Sequence, residues 1–198
     1  MISSVVPHIE TNLKQSLLFL NAPITFVSAR SPSTVSVRYK IPSEVGADRI
    51  VNARAAAELH SGAAIVIDFG TATTFDCLSS RHEFLGGVIA PGIVISAQAL
   101  TQRTAKLPPV TLNKPARILG RNTVECIQSG LYHGYRGLVK EIVARLLEKL
   151  GNRTRVFTTG GQARWILKGT ALDQKNIPHL TLMGLFFLWH DLASKRNS

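Results

Sequence analysis

The chain has 198 residues, of which 45% are hydrophobic and 18% charged, and it carries a formal net charge of +11 with a pI near 10.3. That size and composition fit one large domain or two small ones with a real core, and exclude a disordered chain. The positive balance permits contact with nucleic acid, an acidic surface or anionic small molecules. Yet no run of five like charges occurs and basic residues do not interleave with aromatics, so a solvated basic surface is preferred and nucleic acid is left open without being favoured. Cys77 and Cys126 stand far apart, outside any C-x-x-C pair, which suggests neither a zinc site nor a disulfide framework. No charged segment followed by an apolar block opens the chain, and its longest apolar stretch, around 185–189, is far short of the ~18 residues that span a bilayer. A cytoplasmic protein with no membrane contact is expected.

In chain order, I-S-S-V-V-P at 2–7 reads as a short strand closed by Pro7. Ile9, Leu13, Leu17, Leu18 and Leu20 then recur at roughly helical spacing, and Asn21 with Pro23 ends that helix. Residues 24–27 read as the next strand. A strand–helix–strand opening implies a parallel pair, which is normally buried inside a larger sheet, so the remaining strands come from elsewhere or a partner covers the edge. Residues 28–43 read as a Ser/Pro-rich loop with an extended piece at 35–39, and 45–60 as an alanine-crowded helix.

The stretch A-A-I-V-I-D-F-G-T-A-T-T at 63–74 organises the rest. A short apolar run bounded by turn residues reads as a buried strand. It delivers Asp68 to a turn at Gly70, where backbone freedom lets a ligand approach the main chain, beside the hydroxyls of Thr71, Thr73 and Thr74. Successive N–H groups in such a turn attract anions while a carboxylate holds a cation, so the stretch reads as a phosphate-plus-cation turn. A hairpin whose Asp merely caps the turn is the alternative. A hairpin follows through Phe75, Cys77 and Leu78 to Phe84 and Leu85. Gly86-Gly87 and Pro91-Gly92 bracket V-I-A, residues 93–100 form a helix, and 101–117 form a basic loop.

Asn122 with Glu125 three residues later starts a long helix whose apolar face is Ile127, Leu131, Leu138, Ile142, Leu146 and Leu150. Gly130, Gly134 and Gly137 each cost that helix roughly 1 kcal/mol relative to Ala, which points to close packing against another helix or a dimer partner. A strand at 156–159 enters Gly160-Gly161, and an apolar helix over 180–193 docks on the core before a polar tail.

Three further constellations can carry chemistry. Adjacent glycines in T-T-G-G (158–161) let the main chain lie flat against a nucleotide, or simply make a tight turn. G-A-D-R (46–49) sits where a loop becomes a helix, a place that favours anions. Asp48 there is ordinary helix capping unless context says otherwise, and Arg49 is suited to a bidentate grip on a carboxylate or to the surface. Asn122-Thr123 is a cap at the next helix start.

Taken together, V-G-A-D-R-I-V-N-A (45–53), D-F-G-T-A-T-T-F-D (68–76), L-G-G-V-I-A-P-G-I (85–93), K-L-P (106–108), Q-S-G-L-Y-H-G-Y (128–135) and T-T-G-G (158–161), with I-S-S-V-V-P, resemble the type III pantothenate kinases of the actin, Hsp70 and hexokinase-like ATPase superfamily. The resemblance implies an α/β, two-lobed, ribonuclease H-like fold and transfer of the ATP γ-phosphate to the primary hydroxyl of pantothenate, the entry step to coenzyme A. It implies Asp48 as the base and places Asp48 itself, with Tyr39, Gly46, Ala47, Arg49 and Thr123, at pantothenate, Thr123 reaching across a dimer interface. It places Gly70 and Thr71 at the ATP phosphates, Gly160 and Gly161 on the adenosine side, and Asp68 on a monovalent cation, K⁺ or NH₄⁺, with Mg²⁺ accompanying ATP. Arg49 beside Asp48 is expected to favour the ionised carboxylate a base requires.

Family members open with a strand and a D-x-G-N-T turn, and these 198 residues contain no such turn. The expectation is therefore an incomplete first lobe (1–61, with the pantothenate motif) and a nearly whole second lobe (62–198, with the second phosphate and adenosine motifs). The missing half of the phosphate and Mg²⁺ clamp would come from another subunit or from upstream sequence, in a homodimer or hetero-oligomer. The alternative is a catalytically silent relative acting as a regulatory or transcription accessory protein.

Overall fold

The computed structural model describes residues 1–31, 35–104 and 106–196. Residues 32–34 of the Ser/Pro-rich loop, residue 105 of the basic loop and the end of the polar tail lie outside the described residues. The strands are β1 (Ile2–Ser3), β2 (Phe26–Val27), β3 (Ser36–Val37), β4 (Ala64–Phe69), β5 (Ala72–Leu78), β6 (Glu83–Pro91) and β7 (Arg155–Thr159). The helices are α1 (Pro7–Ser16), α2 (Ala47–Leu59), α3 (Ile93–Arg103), α4 (Thr123–Leu150), α5 (Ala163–Leu167) and α6 (Leu180–Arg196). β1 and β2 pair parallel with Ile2 opposite Phe26, and the other strands form a mixed five-stranded sheet in the order β3-β6-β5-β4-β7. Two compact units result: Met1–Val66 with Asp76–Gly86 and His179–Ser198, and Ile67–Phe75 with Gly87–Pro178.

In the first unit the alanines expected to permit close approach do so. Ala53, Ala55 and Ala56 of α2 are fully buried, and α6 is α2's main packing partner. At their crossing, a Cβ on Gly184 would stand 2.0 Å from the Val51 carbonyl oxygen, so no side chain fits there. Val27, Ala47, Val51 and Leu188 close a small core, with Met1 and Leu185 against it. The opening does form a parallel pair joined by a helix, with Pro7 as the first helical residue rather than a strand terminator; there its missing N–H costs nothing. The helix stops at Ser16, and Leu18, Phe19 and Leu20 form a 3₁₀ turn with exposures of 67%, 79% and 54%. Those leucines therefore do not extend the buried face that their spacing suggested. Asn21, in the left-handed region at φ 47°, ends the turn as expected. Among the described residues no helix is long and apolar enough to cross a membrane.

In the second unit, α4 runs from Asn122, whose side chain accepts from the Glu125 N–H at 2.9 Å, to Gly151 at φ +95°. The Glu125 carboxylate reaches back past the N-cap, accepting from the Arg121 N–H at 2.9 Å and from the Asn122 side-chain amide at 3.0 Å. The buried face is not the expected aliphatic stripe, which is only half-buried, but Ser129, Tyr132, Tyr135, Val139 and Val143. The rings of Tyr132 and Tyr135 supply the bulk, and their hydroxyls find partners in Arg136 and the Pro91 carbonyl. Gly130, Gly134 and Gly137 face open space: beyond the adjoining backbone of their own helix, a Cβ built on them meets no atom of the described residues within 4 Å. Within the chain, then, they serve no close helix contact. A further difference concerns Gly86-Gly87: β6 runs straight through it, with Gly86 at φ +110° inside the strand.

Candidate active site

In the first unit the sequence-predicted residues gather at the start of α2. The helix begins after Gly46, and the Asp48 carboxylate folds back to accept the Arg49 N–H at 2.8 Å. A Cβ on Gly46 would lie 2.6 Å from Asp48 Oδ1, so glycine there leaves the carboxylate its place. Gly46 and Ala47 line a cavity of about 340 Å³ whose polar groups include Ser4, Glu10, Ser28 and Arg30. Asp48, Arg49 and Tyr39 are not among its lining residues.

Arg49 turns elsewhere. It is 6% exposed, and its Nε and Nη2 donate to Asp76 Oδ1 at 2.7 and 2.6 Å, with Asp76 itself fully buried. The guanidinium carbon lies 5.3 Å from the Phe84 ring centroid and 6.0 Å from that of Tyr39. Burial works against the guanidinium charge, but the Asp76 carboxylate, helped by Tyr39, outweighs it and holds the Arg49 pKa above its ordinary value. The arginine's grip on a carboxylate is thus made inside the protein, to a residue that the reading of the sequence did not single out. The signal was available: Asp76 is the one charged residue in the apolar second half of D-F-G-T-A-T-T-F-D, and such a residue needs a partner. The adjacent Cys77 is buried, and burial followed by the Asp76 charge pushes its thiol up to about 12, which makes it inert.

In the second unit β4 ends at Phe69, Gly70 and Thr71 form an exposed turn, and β5 resumes at Ala72. Gly70 does not use the left-handed region, and its Cβ position meets only ordinary contacts, so glycine is not forced there by backbone angle. The demanding glycines are two others. Gly92, at the N-terminus of α3, donates to the Thr71 carbonyl at 3.0 Å, and a Cβ there would stand 2.2 Å from that oxygen. Gly160, at φ +95°, lays its backbone across the end of β4, where a Cβ would meet Phe69 N at 2.5 Å and Asp68 Oδ1 at 2.6 Å. The structure therefore brings Asp68 and Gly160 together, braces the Gly70-Thr71 turn from behind through Gly92, and leaves Gly161 open.

The three threonines do not act alike. Thr71 is exposed, whereas Thr73 is 1% exposed and shares a hydrogen bond with the Tyr135 hydroxyl, which donates to the Pro91 carbonyl at 3.1 Å. Thr73 is thus structural rather than a ligand donor. Replacing Tyr135 by Phe leaves a buried hydroxyl short of a partner, and unfolding in urea is expected to show a loss of about 1–2 kcal/mol. Thr123 is the exposed first residue of α4.

Among the described residues no three His, Cys, Asp or Glu side chains cluster to cage a metal. One carboxylate, Asp68, beside the Gly70-Thr71 turn suits a cation completed by carbonyl, phosphate or water oxygens rather than an all-protein cage.

A family model described as type III pantothenate kinase matches residues 1–145. The chain belongs to the type III pantothenate kinase family. The type III pantothenate kinase of Dehalococcoides mccartyi is 48% identical over 188 residues, which cover 94% of this chain and 72% of the relative. That of Koribacter versatilis is 48% identical over 191 residues, 96% of this chain and 69% of the relative. Among solved structures, a protein of Campylobacter jejuni described as a conserved putative Baf family transcriptional activator matches 96% of this chain and 81% of its own, with a TM-score of 0.62 and 21% identity. That likeness shows a shared fold. Within the pantothenate kinase family match lie all the expected site residues except Gly160 and Gly161.

Proposed function

We propose that this chain phosphorylates pantothenate with ATP, giving 4'-phosphopantothenate, the first step of coenzyme A biosynthesis. The observation that carries this reading is the start of α2 within a chain of this family: a glycine that leaves room for the Asp48 carboxylate, followed by an arginine locked by a buried ion pair. In this reading Asp48 takes the proton of the primary hydroxyl as its oxygen attacks the γ-phosphorus and the bond to the ADP oxygen breaks. Tyr39, Gly46, Ala47, Arg49 and Thr123 hold pantothenate, Thr123 from a second copy. Gly70 and Thr71 carry the ATP phosphates, and Gly160 and Gly161 the adenosine. Mg²⁺, together with K⁺ or NH₄⁺ on Asp68, would neutralise phosphate charge, which with positioning is most of what phosphoryl transfer needs. The cytoplasm is the compartment that fits two unpaired cysteines.

We also assign residues 1–61 to a first lobe of the actin-like fold and 62–198 to the second, with the first phosphate motif supplied from outside these residues. The isolated 198-residue chain is then expected to turn over pantothenate poorly or not at all. A coupled ATP assay checks this, and full turnover from the chain alone would remove the need for a second half of the clamp. The +11 charge supports one other reading, a regulatory protein that contacts DNA. DNA affinity falling steeply with salt, with no pantothenate uptake, would favour it.

A further inference from the structure

We infer that Asp76 is a positioning residue: it fixes the Arg49 guanidinium beneath the Tyr39 ring and thereby shapes the pantothenate side of the site. This rests on the pantothenate reading above.

Four features of the first unit converge on it. Asp76 is fully buried in β5, and a buried carboxylate needs a charged, hydrogen-bonded partner. It has one in Arg49, at 2.6 and 2.7 Å through two different nitrogens. The guanidinium so held also faces two aromatic rings, Phe84 at 5.3 Å and Tyr39 at 6.0 Å, and those rings are 6.2 Å apart. The Tyr39 ring in turn occupies the space that Gly86 leaves: a Cβ on Gly86 would stand 3.2 Å from a ring carbon, at a φ of +110° that disfavours any side chain. Asp76, Arg49, Tyr39, Phe84 and Gly86 therefore form one packed stack, rooted in β5 and β6 and reaching the first turn of α2.

The stack has a consequence for specificity. Arg49 directly follows Asp48 in α2, and its own N–H holds the Asp48 carboxylate at 2.8 Å. Fixing the arginine side chain thus restrains the residue that anchors Asp48. With its charge largely balanced by Asp76, Arg49 is suited to orient neutral hydroxyl and amide groups and to hold the Tyr39 ring, rather than to attract any anion that approaches. The preference is then for a ligand that presents hydroxyl and amide groups to this face.

The test uses the full chain and two readouts. The first is the Arg49 Nε–H resonance in ¹H–¹⁵N spectra, a direct report on the bond to Asp76. The second is calorimetric titration with pantothenate and, separately, with ATP. Asp76→Asn is expected to shift or erase the resonance, to weaken pantothenate binding at least tenfold and to leave ATP binding within twofold. In an Arg49→Gln background, Asp76→Asn should change pantothenate affinity by less than twofold, because Asp76 acts through the arginine. That double variant buries no lone charge and so remains informative even where the single variant does not fold. An unmoved resonance, pantothenate affinity within twofold of the parent, equal weakening of both ligands, or additive effects in the double variant would each overturn the inference. A parent chain that takes up no pantothenate would instead defeat the proposed function, leaving the resonance to decide whether Asp76 positions Arg49.

Discussion

With the first phosphate motif supplied, Asp48→Asn is expected to lower turnover by about a thousandfold or more while ATP binding stays within a few-fold of the parent. The asparagine keeps the shape of the side chain and can still accept the Arg49 N–H, so the start of α2 should persist. What it loses is the ability to take a proton, and general-base removal of this kind typically costs about 10²–10⁴ in rate. The loss should fall on kcat, because among the described residues the Asp48 carboxylate is held by that single N–H contact, which Asn can keep. Steady-state kinetics with ATP and pantothenate varied in turn check it. Unchanged turnover would take Asp48 out of the chemistry.

The second large effect is on stability. Gly184→Ala places a methyl group 2.0 Å from the Val51 carbonyl oxygen and 2.8 Å from Val51 Cγ1, where α6 crosses α2. The obstacle is mostly backbone and cannot rotate away, so the helices must part. Overpacking typically costs about 1–3 kcal/mol, and a clash with rigid backbone belongs at the upper end, about 3 kcal/mol, which for a chain of this size lowers the melting temperature by about 6–12 °C. Thermal unfolding followed by circular dichroism measures it. Gly134→Ala serves as the contrast: its Cβ meets nothing within 4 Å, and in the monomer it should be neutral or slightly stabilising.

These two glycines show what a sequence reveals and what it conceals. Gly130, Gly134 and Gly137 stood out because three glycines in one polar-flanked helix look costly, yet they face open space. Gly184 sits unremarked in an apolar run and is the one wedged between helices. Spacing along one helix says nothing about which neighbour crosses it. The same holds at the turn after β4. Its position, its exposed threonine and its Asp were legible from an apolar run broken by D-F-G-T, but the glycines under geometric compulsion are Gly92 and Gly160, which lie in later parts of the chain.

Local signals were read well where the physics is local. The Asn122 cap of α4 and the stop at Asn21 follow from residues within a few positions of one another, and the parallel opening pair, Ile2 opposite Phe26, from the single helix that joins its strands. Tertiary partners were not. Arg49 read as free to grip a substrate carboxylate because Asp76, 27 residues on, could not be placed beside it from spacing alone. Thr73 read as one of a row of donors because Tyr135 lies in another element altogether. In both cases a polar residue within an otherwise buried strand carried the hint: its partner had to exist, and burial, not motif, was the reason.

The central claim is that these residues carry the acceptor site and one phosphate motif of a pantothenate kinase. Mass spectrometry of a reaction containing ATP, Mg²⁺, K⁺, pantothenate and the chain joined to a segment bearing the D-x-G-N-T turn tests it most directly. The account predicts 4'-phosphopantothenate from the joined protein and little from the chain alone. Absence of that product from the joined, folded protein would contradict it.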